Sequence, residues 1–376
     1  VALALGGFAI GTTEFAAMSF LPALVTGFGI DAPTAGHAIS AYALGVVVGA
    51  PLLTVAAACL DRRVLLVLLM AWFGLGNLLG SAAPSFGSFL LLRFLTGIPH
   101  GAYFGIAVLV AVGMVPPERR SAAIGRVLMG LTVATVLGVP IASLIAQGLG
   151  WRYGFGVVGL LSLLIAALLF LVVPAQGRIE GASARRELGA LRRGQVWLTL
   201  GIGAVGFGGM FAVYTYLAST LTLVTGVPDW AVPLVLAVFG VGLTAGNALA
   251  PRLMRRSAMT AIGMLLAWSA AALAIYPSTV GSLPAIIVAV FLVGLGGGLG
   301  AVLQARLMDV AGDAQGLAAA LNHSAFNLAN ALGPWLGGLA IAAGHGGAST
   351  GWVGCCLALG GLVVWGVARH LEGRSG

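Results

Sequence analysis

Lysine is absent from this chain, and charge of either sign is scarce: 7% of its 376 residues are charged, where a soluble domain carries about 25%. Apolar residues make up 60%, so no water-facing surface can be assembled from what remains, and the chain belongs in a bilayer. Without lysine there is no Walker A loop, which excludes ATP hydrolysis by that route. Cysteine is nearly absent too. The three present, Cys59, Cys355 and Cys356, lie in or at the ends of apolar stretches and read as packing residues, not as a metal site or a disulfide framework. The histidines lack ligand spacing and no His-Glu-x-x-His occurs, so no metal centre is expected. Glycine, by contrast, is abundant, with 59 residues. Runs such as GLGGGLG at 294–300 sit inside apolar stretches with no strand before them, and read as sites of close helix packing in lipid.

The positive charges that do occur are all arginine, 18 in number, and their placement is informative. Sixteen fall in every second gap between about a dozen apolar stretches; Arg152 sits in an opposite gap and Arg93 inside a stretch. This is the positive-inside pattern, and it places both termini and the basic loops in the cytoplasm. Such scattered short loops do not make a nucleic-acid surface despite the net charge of +8. Coarse spans run over 2–25, 37–60, 64–82, 87–114, 121–147, 152–173, 196–224, 231–254, 258–276, 283–306, 316–343 and 350–368. Each is near or above the ~20 residues that cross a ~30 Å hydrocarbon core. The chain starts within an apolar run, Val1 to Phe8, that reads as a first membrane helix and not as a signal peptide.

An all-α membrane protein with twelve transmembrane helices follows, in two six-helix pseudo-symmetric halves at 1–174 and 196–376. The polar stretch 175–195 is the linker between them. ATVLGVP at 134–140 echoes ANALGP at 329–334; Gly150 and Trp151 echo Gly351 and Trp352; paired arginines close the second span (Arg62, Arg63) and the eighth (Arg255, Arg256). Internal repeats of this kind mark a transporter with its site near the midplane.

Glu14 lies about midway along the first span. An ionised carboxylate there costs several kcal/mol unless it faces a wet cavity, finds a partner or is protonated. All three conditions suit a proton carrier; the alternative is a structural carboxylate satisfied by Thr12 and Thr13. Arg93 and His100 lie two turns apart on the fourth span and point in roughly the same direction. Counted by helical rise, His100 and Glu14 reach similar depth, which makes a pair of them possible. His100 can carry a proton or rest neutral on a carbonyl exposed by Pro99; Arg93 can bias a carboxylate or snorkel outward as an anchor. In the eleventh span His323, Asn327 and Asn330 form a stripe at i, i+4 and i+7. That stripe can line a cavity or act as interhelical glue. Tyr214, Tyr216 and Gln304 are weaker candidates for the same cavity, with simple packing the favoured alternative.

These segments resemble the major facilitator superfamily, and within it the drug:proton antiporter branch with AraJ-type sugar efflux permeases. The resemblance runs over essentially the whole chain and is carried by GTTEF at 11–15, AGHAISAYALGVVVGAP at 35–51, PHGAYFG at 99–105, PPERR at 116–120 and WRYGF at 151–155. The family's loop motif after the second helix survives as Asp61, Arg62 and Arg63, with Ala57 where its glycine would fall. Its fourth-helix motif keeps Arg93 and replaces the glutamine by Thr96, and the resemblance implies that Arg93 takes part in proton coupling. The antiporter motif of the fifth helix is loosened to Gly138, Val139 and Pro140, while its full form stands in the eleventh as Gly333, Pro334, Gly337 and Gly338.

The expectation is therefore a monomeric, multi-pass inner-membrane transporter that exports a small molecule, a sugar or a hydrophobic drug. It would use the proton gradient and no cofactor, with membrane lipid around it and no nucleic-acid partner. Facilitated transport without proton coupling is the alternative in the same class. An intramembrane enzyme is the alternative of another class, for which the sequence offers no nucleophile, base or metal set.

Overall fold

The computed structural model describes residues 1–56, 61–116, 119–175, 188–255, 257–312 and 315–372, and these are almost wholly helical. Eleven helices among the described residues are long and apolar enough to cross a membrane. In chain order the helices are α1 (Ala2–Ser19), α2 (Ala32–Ala56), α3 (Arg62–Ser81), α4 (Phe86–Gly113), α5 (Gly125–Leu149), α6 (Trp151–Val172), α7 (Gly194–Thr225), α8 (Asp229–Leu253), α9 (Ala258–Ser278), α10 (Leu283–Ala311), α11 (Gln315–Ala340) and α12 (Ser349–Glu372). The remaining helix, α11, has 26 residues and ample length to span. Its middle carries Asn322, His323, Asn327 and Asn330, so it lacks the apolarity of the others for the very reason that makes it interesting. Most of the expected linker (176–187), Cys59, Ala57, Pro117 and Glu118 lie outside the described residues.

Expected spans and observed helices agree closely; the differences have local causes. The first span breaks at Phe20, because Pro22 starts a new eight-residue helix, Leu21–Phe28, closed by Gly29 at φ 65°. Proline 140 cannot donate to the carbonyl four residues back, and just before it α5 widens into a π-turn over Ala134–Gly138. The echoing stretch 329–334 in α11 stays regular α-helix. Gly150 turns the chain between α5 and α6 at φ 102°, whereas its echo Gly351 lies within α12 against Pro277. The sequence repeats are thus chemical echoes with different local backbones.

Lipid-facing flanks carry the exposed leucines and valines expected of a membrane protein, among them Leu164, Leu171 and Val363. One apolar cluster, around Met70, Phe73, Phe104 and Leu169, lies wholly within α1–α6. A smaller one around Val196 and Leu307 lies within the second six helices, and the largest joins both sets through Phe15, Phe211 and Phe239.

Contacts between the two sets concentrate where α2 meets α11 and α5 meets α8. The Ser40 hydroxyl of α2 donates to the Ala331 carbonyl of α11 (3.0 Å), and the Ser324 hydroxyl of α11 returns a bond to the Val47 carbonyl (3.3 Å). At the end of α5, the Gln147 amide donates to the Asp229 carbonyl at the start of α8 (2.9 Å). At the arginine-rich end Arg306 of α10 pairs with Glu372 of α12 at 2.9 Å.

The tightest approach that bears on the site is α2 against α4. A side chain at Gly97 would run into the Tyr42 carbonyl, and one at Gly45 into the Phe94 carbonyl. Only glycine lets the two backbones touch here, as small residues do in lipid. Gly97→Val and Gly45→Val are expected to lower stability by about 1–3 kcal/mol, the usual range for overpacking. Gly105→Ala on the same α4, where a Cβ meets nothing within 4 Å, is the control. Thermal unfolding in detergent should show the first two melting earlier than wild type and the third melting no earlier.

Candidate functional site

Where the two sets of helices meet, polar groups that lipid would not tolerate are gathered out of its reach. Glu14 of α1 is 2% exposed. Its Oε1 accepts from the Asn330 side-chain amide of α11 at 3.3 Å. Its neighbours do not satisfy it: the Thr13 hydroxyl donates to the Ala9 carbonyl within α1 (3.3 Å), and the buried Thr12 hydroxyl makes no hydrogen bond. The carboxyl group is held across the interface, by the opposite set of helices. Among the described residues no cation lies in ion-pair contact with it.

Arg93 of α4 is likewise 2% exposed, so it does not snorkel. Its guanidinium lies 4.3 Å from the centroid of the Tyr42 ring and 5.2 Å from that of Phe155. Its Nε and Nη1 are buried without a hydrogen-bond partner. Stacking a guanidinium on aromatic faces offsets part of its lost hydration, by about 0.5–2 kcal/mol each. It leaves strong donors unmatched, as a structural ion pair would not.

His100 does not pair with Glu14. Its Nδ1 shares a hydrogen bond of 2.8 Å with the Tyr42 hydroxyl. The glycine contact between α2 and α4 brings these two together, and the Nδ1 partner is Tyr42, not a carbonyl freed by Pro99. Across the interface the His323 ring of α11 lies 6.0 Å from the His100 ring and stacks on Phe104 at 5.2 Å.

The predicted stripe of α11 therefore divides its work. His323 reaches α4 and Asn330 reaches α1. Between them Asn327 donates to the His323 carbonyl of its own helix (3.0 Å). The side-chain oxygens of Asn327 and Asn330 remain buried and unpaired. An aromatic layer closes over this region: Phe15, next to Glu14, packs on Phe211 (6.2 Å) and Tyr214 (5.8 Å), and Phe326 packs on Phe211 (4.9 Å) and Phe207 (4.8 Å).

The other sequence candidates make further contacts. Tyr214 stacks on Phe239 (4.1 Å) with its buried hydroxyl unpaired. The Tyr216 hydroxyl donates to the Pro334 carbonyl (2.8 Å) and fills the space beside Gly36 and Gly338, which fastens α7 to α11. Gln304, half-buried on α10, is not drawn into these contacts. Among the described residues no group of three or more histidine, cysteine, aspartate or glutamate side chains could hold a metal ion. Tyr42, Phe15, Phe211 and Phe326 are the participants that sequence reasoning missed. An aromatic hydroxyl in mid-span was the available signal for Tyr42; the phenylalanines are indistinguishable from core in sequence.

Residues 3–334 match the model of the Major Facilitator Superfamily. The chain belongs to that superfamily. It is 40% identical to the inner membrane transport protein YdhP of Escherichia coli, over 92% of this chain and 89% of that protein. It is 32% identical to a chloramphenicol resistance protein of Streptomyces lividans, over 88% and 86% of the two chains. The crystal structure of a D-xylose-proton symporter has the same fold, with a TM-score of 0.73 at 17% identity, covering 97% of this chain and 96% of that one. The protein is a membrane transporter of this superfamily and not an enzyme.

The motif residues that carried the resemblance have identifiable contacts. Asp61 caps α3 by accepting from the Arg63 and Val64 amides (2.9 and 3.2 Å), and Arg63 lies over the Phe170 ring at 4.4 Å. Arg62 begins α3, half-buried. Gly138, at the end of the π-turn before Pro140, gives room to Thr12 and Phe8 of α1. Gly333 lets α11 touch the backbone of α7 at Gly208, and Pro334 offers the carbonyl that Tyr216 uses.

Among the described residues Glu14 depends on Asn330 for its one donor, which sets an energetic test. Asn330→Leu should destabilise the folded protein by about 1–3 kcal/mol, the cost of orphaning a buried acceptor. Asn327→Leu, whose amide bonds only its own helix, should cost less. Adding Glu14→Leu to Asn330→Leu should recover part of the loss, because the orphaned group is then gone. Thermal unfolding of the three variants beside wild type checks this ordering.

Proposed function

We propose that this protein is a proton-coupled exporter of a small molecule, a sugar or a hydrophobic drug, working by alternating access. In this reading the halves 1–174 and 196–376, joined by the 175–195 linker, rock about the α2–α11 and α5–α8 contacts. Both termini and the arginine-rich loops face the cytoplasm of a cell whose inner membrane holds the protein.

The observation that carries the reading is the Glu14–Asn330 hydrogen bond. It is a buried carboxyl group whose partner belongs to the opposite half. Any motion that separates the halves takes that donor away and changes the cost of ionisation at Glu14. Proton uptake and release are then tied to which side the cavity faces. Arg93, close by and unpaired at two nitrogens, biases Glu14 toward its charged form when the donor is lost. His100 assists, or contacts substrate. The unpaired oxygens of Asn327 and Asn330 and the rings of Phe15, Phe211 and Tyr214 offer hydrogen bonds and apolar contact to a mixed polar and aromatic molecule. The likeness to a chloramphenicol resistance protein supports the direction of transport, outward.

Proteoliposomes loaded with a candidate substrate and given an imposed pH gradient test the reading. Wild-type protein should move substrate against its gradient without ATP. Glu14→Gln should lose that accumulation by at least tenfold while still exchanging substrate across the membrane. Full pH-driven accumulation by Glu14→Gln would remove Glu14 from the mechanism.

A further inference from the structure

We infer that Tyr42 is a positioning residue of the transport site, holding Arg93 with its ring and fixing the tautomer of His100 with its hydroxyl. The inference rests on the proton-coupled reading of that site and assigns a role to a side chain which that reading does not use.

Three observations meet at Tyr42. Its side chain is 1% exposed, and the close α2–α4 contact at Gly45 and Gly97 seats its backbone against α4. Its ring supports the Arg93 guanidinium at 4.3 Å. Its hydroxyl meets His100 Nδ1 at 2.8 Å. One residue of α2 thus touches both Arg93 and His100 of α4, which are two helical turns apart.

The direction of the hydroxyl bond follows from counting donors. Among the described residues the Tyr42 hydroxyl has no other hydrogen-bond partner. If Nδ1 carried the proton and donated to Tyr42, the phenolic hydrogen would be buried with no acceptor, a cost of about 1–3 kcal/mol. Bare Nε2 would then lack a donor as well; if instead Tyr42 donates to a bare Nδ1, only the Nε2 hydrogen still needs an acceptor. Tyr42 therefore donates, and His100 carries its proton on Nε2. That leaves the protonated nitrogen free for His323, whose ring lies 6.0 Å away in the other half, or for a substrate acceptor.

The ionisable groups that surround the pair are few. Arg93 shares α4 with His100, Glu14 comes from α1, Tyr103 from α4 donates to the Leu3 carbonyl of α1 (3.0 Å), and His323 comes from α11. Tyr42 is the one that touches both Arg93 and His100. It makes the arginine and the histidine a single unit, so that a change at either is felt by the other.

Phenylalanine at this position keeps the ring under Arg93 and removes only the hydroxyl; leucine removes both. Histidine-selective 15N labelling of purified protein reads the tautomer directly, and transport in proteoliposomes reads the function across a pH series. In Tyr42→Phe the His100 signals should leave the Nε2-protonated pattern of wild type. The pH of half-maximal transport should move by about half to one unit, the size expected when one hydrogen bond of ordinary strength is lost from one protonation state. The shift should be absent when Tyr42→Phe is added to His100→Gln, since its target is already gone. Tyr42→Leu should add a loss of maximal rate of at least tenfold through a displaced Arg93.

An unchanged His100 tautomer and pH profile in Tyr42→Phe overturns the inference, as does a Tyr42→Leu variant that matches Tyr42→Phe in every readout. If Tyr42→Leu does not fold, the Tyr42→Phe spectrum and its non-additivity with His100→Gln decide the matter alone. The tautomer measurement needs no proton coupling. Failure of Glu14→Gln to affect accumulation would therefore strike the proposed function and leave the Tyr42 assignment standing or falling on its own spectrum.

Discussion

Hydrocarbon offers no hydrogen bonds, and this one constraint organises the whole molecule. Backbone amides answer it by closing into helices over nearly every described residue. Sixteen of the eighteen arginines answer it by staying in or beside every second gap between spans. A side chain that must be polar inside the membrane can answer it only by finding a partner on another helix. Glu14 finds Asn330, His100 finds Tyr42, and Arg93 finds two aromatic faces but leaves two nitrogens unmatched. The site is the set of places where the constraint is met incompletely or by a partner from the other half.

Partners from the other half matter because they are the ones that relative motion removes. Packing within each half, such as the apolar cluster around Phe73 and Phe104 or the Tyr216 bond to Pro334, can persist through a rocking motion. The Ser40, Ser324 and Asn330 bonds and the His323 stack on Phe104 cannot all do so. A transporter needs contacts of both kinds, a rigid set that keeps each half intact and a breakable set that records which side is open. On the proposed reading the breakable set includes the buried carboxyl group, and the motion thereby gains a chemical consequence.

Glycine supplies the geometry that polar residues then exploit. Gly45 and Gly97 bring α2 onto α4 closely enough for one tyrosine to serve an arginine and a histidine together, and Gly333 brings α11 onto α7. Proline has the opposite part. Pro22 divides the first membrane segment, and Pro140 accompanies the widened turn of α5 beside Thr12, next to Glu14.

Much of this was legible in the sequence, because hydropathy and charge act residue by residue and need no neighbours from afar. The apolar spans and the positions of Glu14, Arg93, His100 and the α11 stripe within them are set by local composition and by depth along a helix. Pairing is a different kind of fact. Depth alone put His100 level with Glu14, yet helix rotation and the α2–α4 contact gave His100 to Tyr42 and gave Glu14 to Asn330, more than three hundred residues away. Nothing in the sequence singled out Tyr42, and Tyr216 could line a cavity or pack; only the tertiary contacts distinguished them. Sequence fixes which groups lipid must not see, since transfer free energy belongs to the side chain itself. Tertiary structure decides what they meet instead, since that depends on how helices distant in the chain are turned toward one another.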